Sequence, residues 1–262
     1  MKAKPMYTTR LGAGQALVDE TRTLLELWSP GMSVPDLTRI ALESGRFPTI
    51  TARRLRNMVR ECFAPRYLAD KGAPAIRLQA LSRRLPTMDF VQLLYLHTAR
   101  ANAILADFVR DYYWPRYASG HQEISNEDVR GFVQRAIDDG RTKSRWSYNV
   151  IERVAGYLTG TLADYGLLEK GRRKKRRILS YRITDNVAAY LAYDLHFSGV
   201  GDHALLAHQD WGLFGLSSAE VLDTLRRLSL RGLLIVQAGG NVVRLSWKYP
   251  DMETLCDVLP QG

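Results

Sequence analysis

Apolar residues recur every three to four positions through most of this chain, the pattern of amphipathic helices. Residues 14–28 place Leu17, Thr21, Leu24, Leu25 and Trp28 on one stripe, and Pro30 and Gly31 end the segment. A second helix starts behind Ser33, a good N-cap with Pro35 and Asp36 in the first turn. A third, 51–63, turns Leu55, Met58, Val59, Cys62 and Phe63 inward and Arg53, Arg54, Arg56 and Arg60 outward. Three short helices with cations gathered on the third match a helix-turn-helix, in which that helix reads DNA. A solvated face of any small three-helix bundle gives the same pattern.

Residues 90–113 form the most apolar stretch, with Leu93, Leu94, His97, Ala101, Ile104 and Phe108 at the spacing of a buried helix. His97, Arg100, Asn102, Asp107, Arg110 and Asp111 interrupt it, so no window of about 18 uncharged apolar residues exists and no membrane span is expected. The aromatic group Tyr112, Tyr113, Trp114 and Tyr117 is expected to pack a junction rather than stack bases.

Two later segments repeat one order of elements. A helix at 125–138, a turn, and a helix at 146–165 lead to a ribbon predicted between 166–170 and 178–184. Near the C-terminus a helix at 217–230 leads to GLLIVQ (232–237) and VVRLSW (242–247) across a Gly-Gly turn, a good hairpin signal. Both first strands begin Gly-Leu-Leu, at 166–168 and 232–234. Helix, turn, helix and ribbon are the parts of a winged helix. The expected fold is therefore mostly α with small β-hairpins: a three-helix, helix-turn-helix-like domain at 1–66, a helical connector at 67–122, a winged helix with a basic wing at 123–200 and a winged-helix-like domain at 201–262.

Charge separates the two copies. Between Arg141 and Arg182 lie twelve Lys/Arg against three Asp/Glu, so this segment carries +9 of the net +10. Its centre is GRRKKRR (171–177), with Arg172, Arg173, Lys174, Lys175, Arg176 and Arg177. A cationic block in an otherwise almost neutral chain is an electrostatic footprint for a phosphate backbone. A solvated loop or a localisation signal is the alternative. On the approach to the second helix and in its first turn, Lys143, Ser144, Arg145, Ser147, Tyr148 and Asn149 offer hydrogen-bond donors for phosphates or base edges. The C-terminal ribbon holds one cation, Arg244, so it is expected to pack against protein.

Other chemistry finds no support. Two distant cysteines, Cys62 and Cys256, give neither a disulfide framework nor a CxxC site, which favours a reducing, cytoplasmic setting. His203 and His208 lie off a common helical face with no ligand-spaced Cys or Glu, so no metal is expected. Gly12-Ala13-Gly14 is followed by Leu17 where a dinucleotide loop has its third glycine, and no strand precedes it. No phosphate loop, GxSxG or HExxH occurs, so no cofactor and no enzymatic activity are expected.

The segment PMYTTRLGAGQALVDETRTLLELW (5–28), with the basic block and the chain length, resembles the BrxA family of bacteriophage exclusion (BREX) defence systems. The resemblance implies a non-enzymatic, double-stranded-DNA-binding accessory factor built from helix-turn-helix and winged-helix modules, acting beside a methyltransferase and other BREX components. A protein–protein adaptor and an RNA-binding factor are the other functions weighed. Homo-oligomerisation is open.

Overall fold

A computed structural model of the chain describes residues 6–171, 174–239 and 242–259. Helices dominate, and the described residues form two small antiparallel strand pairs. The chain divides into two compact units, Met1–Ala75 with Leu94–Tyr181, and Ile76–Leu93 with Arg182–Gly262. The N-terminal three-helix segment lies in the first unit and 201–262 in the second. The connector and the basic segment contribute to both.

In the first unit, α1 (Val18–Leu27) buries Thr21, Leu24 and Leu25, and α2 (Val34–Glu43) buries Leu37 and Ala41. Ser33 caps α2 as its sequence position predicts, its Oγ accepting the Asp36 N–H at 3.2 Å. Thr51 caps α3 (Ala52–Asn57), which continues through a π-helical turn, Met58–Phe63, into α4 (Ala64–Tyr67). Pro65 stands directly after the π turn. Proline has no N–H for the Glu61 carbonyl four residues earlier, and the Ala64 N–H before it reaches back five residues to the Val59 carbonyl. The arrangement recurs 50 residues later. VRECFAPRY (59–67) and VRDYYWPRY (109–117) share Val, Arg, an acid, Pro, Arg and Tyr, and the second also forms a π turn, Val109–Tyr113, in which the Trp114 N–H bonds the Val109 carbonyl.

The connector becomes α5 (Ala73–Leu81), α6 (Thr87–Ala101), α7 (Ala103–Phe108) and α8 (Trp114–Ala118), with the long apolar stretch on α6, α7 and the π turn that follows. Asn102, with extended backbone at φ −133° and ψ 92°, breaks α6 from α7. Leu93, Leu94, His97, Ile104 and Phe108 are buried as the periodicity predicts, whereas Ala101, the last residue of α6, is exposed. Tyr112 stacks on Phe108, and Tyr113, Trp114 and Tyr117 meet edge to face, so these aromatics pack within the first unit.

A capping box at Ser125 and Asp128 starts α9 (Asn126–Asp138), and α10 (Tyr148–Asp164) packs against it. The ribbon differs from the one read in the sequence. The cationic run is itself the strand: β2 (Lys175–Arg177) pairs with β1 (Glu123–Ser125), the residues just before α9. On its other side the Leu168↔Ile178 bridge, the Glu169 N–H to the Arg177 carbonyl and the Leu179 N–H to the Leu167 carbonyl join it to the segment after α10.

The second unit is organised around α11 (Asp185–Phe197), in which every residue from Asn186 to Leu195 is buried. Its polar residues are matched: Asp194 accepts from Arg77 at 2.6 Å and Asn186 donates to Asp89 at 2.7 Å. α12 (Asp202–Leu206) and α13 (Ser218–Leu230) precede the hairpin β3 (Leu234–Gly239) and β4 (Val242–Trp247), and α14 (Met252–Val258) follows. Ser217 and Glu220 form the capping box of α13.

Candidate nucleic-acid interface

The first unit presents three cationic groups. Lys143, Ser144, Arg145, Ser147, Tyr148 and Asn149 are all exposed on the approach to α10 and in its first turn, with Tyr148 67% exposed. Ser147 stands at the N-cap position, yet its hydroxyl makes no capping bond. Arg145 lies 3.3 Å from Asp138 in a solvent-exposed pair, and Lys143 has no ion pair among the described residues. Arg130 of α9, which sequence reasoning missed, donates to the Tyr148 hydroxyl at 3.1 Å and to Glu152 at 2.7 Å. Its hydrogen bond holds the Glu152 carboxyl below its ordinary range, so the one carboxylate on this stretch of α10 is matched by a cation.

The second group is on α3 and the π turn that continues it. Arg53, Arg54, Arg56 and Arg60 are exposed. Arg60 pairs with Glu61 at 2.8 Å, whereas Arg53, Arg54 and Arg56 pair with no carboxylate among the described residues. The third is the basic strand. Lys174, Lys175 and Arg177 are exposed, and Arg176 is half-buried, bonding the Glu169 carbonyl at 3.2 Å. Arg172 and Arg173 lie outside the described residues.

A cleft of about 610 Å³ lies between the second group and α10. Arg53, Arg54 and Asn57 line one side, segment 12–17 another, and Tyr157 and Asp164 of α10 the third. Tyr157, Arg153 and Asn149 are spaced by four residues, so they share one face of α10 that leads from the cleft to its first turn. At the opposite end of α10, burial raises the Asp164 carboxyl while Lys170 and Arg176, at the base of the ribbon, act to lower it. The structure thus brings Arg53 and Arg54 to the helix that carries Asn149, an arrangement the 90-odd residues between them conceal. Glycines in segment 12–17 serve packing: a Cβ on Gly12 would lie 2.3 Å from the Tyr157 ring.

A half-buried ion cluster ties the N-terminal segment to the same region. Asp107 accepts from Tyr7 at 2.8 Å, Arg141 at 2.7 Å and Arg110 at 2.6 Å, and the Arg141 guanidinium lies 4.3 Å from the Tyr7 ring centre. Burial raises the Asp107 carboxyl, but these three hydrogen bonds outweigh it and hold the group below its ordinary value.

The BrxA family model matches residues 5–194. The chain belongs to the BrxA family. Membership makes it a protein of BREX phage defence. A comparison with curated proteins returns no match. Among solved structures the chain is similar to the crystal structure of an uncharacterized protein from Magnetospirillum magneticum, with TM-score 0.58 and 16% identity over 77% of this chain and 97% of that one, a likeness of fold. No helix among the described residues is long and apolar enough to cross a membrane, and no group of three or more His, Cys, Asp or Glu there could hold a metal ion.

Proposed function

We propose that this BrxA-family chain is a non-enzymatic, cytoplasmic, double-stranded-DNA-binding accessory protein of BREX defence, gripping the backbone through its first unit. The observation that carries the reading is the set of exposed cations with no carboxylate partner among the described residues, Lys143, Arg53, Arg54, Arg56, Lys174, Lys175 and Arg177, on α3, the approach to α10 and the basic segment. The order β1, α9, α10 and ribbon supports a winged-helix reading of residues 123–181, with α10 across the major groove and the ribbon on phosphates. Ser144, Ser147, Tyr148 and Asn149 would contact phosphates or base edges at the start of α10. The α3 arginines form a helix-turn-helix edge of the same surface.

The test is a gel-shift titration of duplex DNA, single-stranded DNA and duplex RNA at several salt concentrations. With about four to six phosphates neutralised, log K should fall against log salt with a slope of roughly −4 to −5. A slope near zero removes the reading, and preference for RNA replaces it with an RNA-binding role.

A second reading rests on the other unit. Leu230, Ile235 and Val242 are exposed at 90%, 58% and 70% around the β3–β4 hairpin, a surface suited to docking a BREX component or a second copy. Loss of assembly, with DNA affinity intact, on replacing all three by Ser would assign the unit that role.

A further inference from the structure

The cleft beside α10 has features that backbone contact does not use. Its inner wall is held from several sides. Arg66 is buried, and its Nη1 and Nη2 donate to the Gln15 and Gly14 carbonyls at 2.9 and 2.6 Å. A guanidinium is costly to bury unless hydrogen-bonded, so this cation commits segment 12–17 to one shape. Gly160 leaves room for Gln15, since a Cβ there would lie 2.6 Å from the side-chain amide. Gly12 leaves room for the Tyr157 ring, and the Asp164 carboxylate takes a hydrogen bond from the Ala16 backbone. Gln15 and Tyr157 are therefore fixed at the cleft before any ligand arrives.

The facing wall is cationic. Arg53 and Arg54, with Asn57 beside them, set two guanidiniums against the single carboxylate of Asp164. The volume of about 610 Å³ falls in the size class of small-ligand sites. Anion-binding groups with the Asn57 amide on one wall, and an aromatic ring with the Gln15 amide on the other, match one ligand chemistry: a phosphate ester joined to a planar heteroaromatic base.

We propose that this cleft binds a single nucleotide, with Arg53 and Arg54 on the phosphate, the Tyr157 ring against the base and the Gln15 and Asn57 amides on its edge. The nucleotide comes either free or as an unstacked unit at the end of a DNA strand. The inference goes beyond duplex binding, and its test separates the two.

The full-length chain is titrated with a fluorescent deoxyadenosine monophosphate, with inorganic phosphate as competitor, and in parallel with blunt duplex and with duplex carrying a short 3′ overhang. If the free nucleotide is the ligand, it binds at least about tenfold tighter than inorganic phosphate. If the strand end is the ligand, the overhang duplex outbinds the blunt one. In either case Tyr157→Ala weakens the preferred ligand about tenfold, in the range of base–aromatic stacking, and Tyr157→Phe restores it. Arg53→Gln with Arg54→Gln, both exposed and so harmless to the fold, weakens it as well. The proposal is overturned if mononucleotide and phosphate bind alike and overhang and blunt duplexes bind alike, or if the double arginine variant melts normally and binds the preferred ligand normally. Blunt-duplex affinity in the same series judges the DNA reading by itself: nucleotide binding without it leaves this site standing and the duplex interface refuted.

Discussion

The ends of α10 and α13 are one local structure used on two different surfaces. In each, a glycine two residues past the helix takes positive φ, 85° at Gly166 and 67° at Gly232. The next N–H reaches back five residues, Leu167 to Leu162 and Leu233 to Leu228, while the glycine N–H bonds Ala163 or Ser229. This is the Schellman closure with its apolar contact, and it explains the shared Gly-Leu-Leu. Beyond the cap the copies part. After Gly232 the chain runs straight into a six-residue register with β4. After Gly166 it makes a single bridge, and the cationic strand takes its main partner from β1. Helix termination is thus set locally, and what the following strand pairs with, and what it shows to solvent, is set by charge and by neighbours.

The largest test of this parallel removes the leucine each cap closes on. Leu162→Ala and Leu228→Ala, both fully buried, should each cost about 2–5 kcal/mol in denaturant unfolding. A loss in one copy alone would mean that the two caps are alike in shape but not in packing.

The next effect separates the copies. Replacing Lys174, Lys175 and Arg177 by Gln should lower duplex affinity ten- to a hundredfold at physiological salt, about equally for unrelated sequences, with little change in melting temperature. Arg244→Gln in the second hairpin should leave affinity unchanged by gel shift. Equal effects would make the charge contrast irrelevant to binding.

Smaller still, Gly166→Ala and Gly232→Ala should each cost about 1 kcal/mol, because a Cβ at 166 meets nothing within 4 Å and only the left-handed backbone resists it. A markedly unequal pair in thermal melts would show that one turn is held by more than its own backbone.

The smallest effect belongs to the first unit alone. The folded Asp107 carboxyl titrates below its ordinary 3.8, so its contribution is present above that value and lost as the pH falls through the lower one. Melting temperature should drop as the pH falls below 3.8, and Asp107→Asn should flatten that drop while lowering the plateau. A wild-type profile flat across this range would show the cluster with Tyr7, Arg110 and Arg141 to be inert.

Signals carried by near neighbours were legible in the sequence. Ser33, Ser125 and Ser217 sit where their helices begin, since a cap and the N–H groups it serves lie within three residues. Stripes such as Leu24–Leu25–Trp28 and Val221–Leu225–Leu228 face the core as their spacing predicts. α11 was not legible, because a helix buried all round has no polar face to mark its period. The π turns at Pro65 and Pro115 were missed, although VRECFAPRY and VRDYYWPRY announce them. Of the candidate site, the cations of α3, α10 and the basic run were visible, but Arg130, Arg153 and Tyr157 were not, because their significance depends on which helix stands beside them.

By itself, then, the sequence determined helix content, caps and the segregation of positive charge, all of which follow from propensity, short-range hydrogen bonding and composition. Only the tertiary structure decided that β2 pairs with β1 across α9 and α10, and that Arg53 and Arg54 share a cleft with Tyr157. Strand pairing and cleft formation join residues tens to about a hundred positions apart, and no local pattern encodes a partner at that distance.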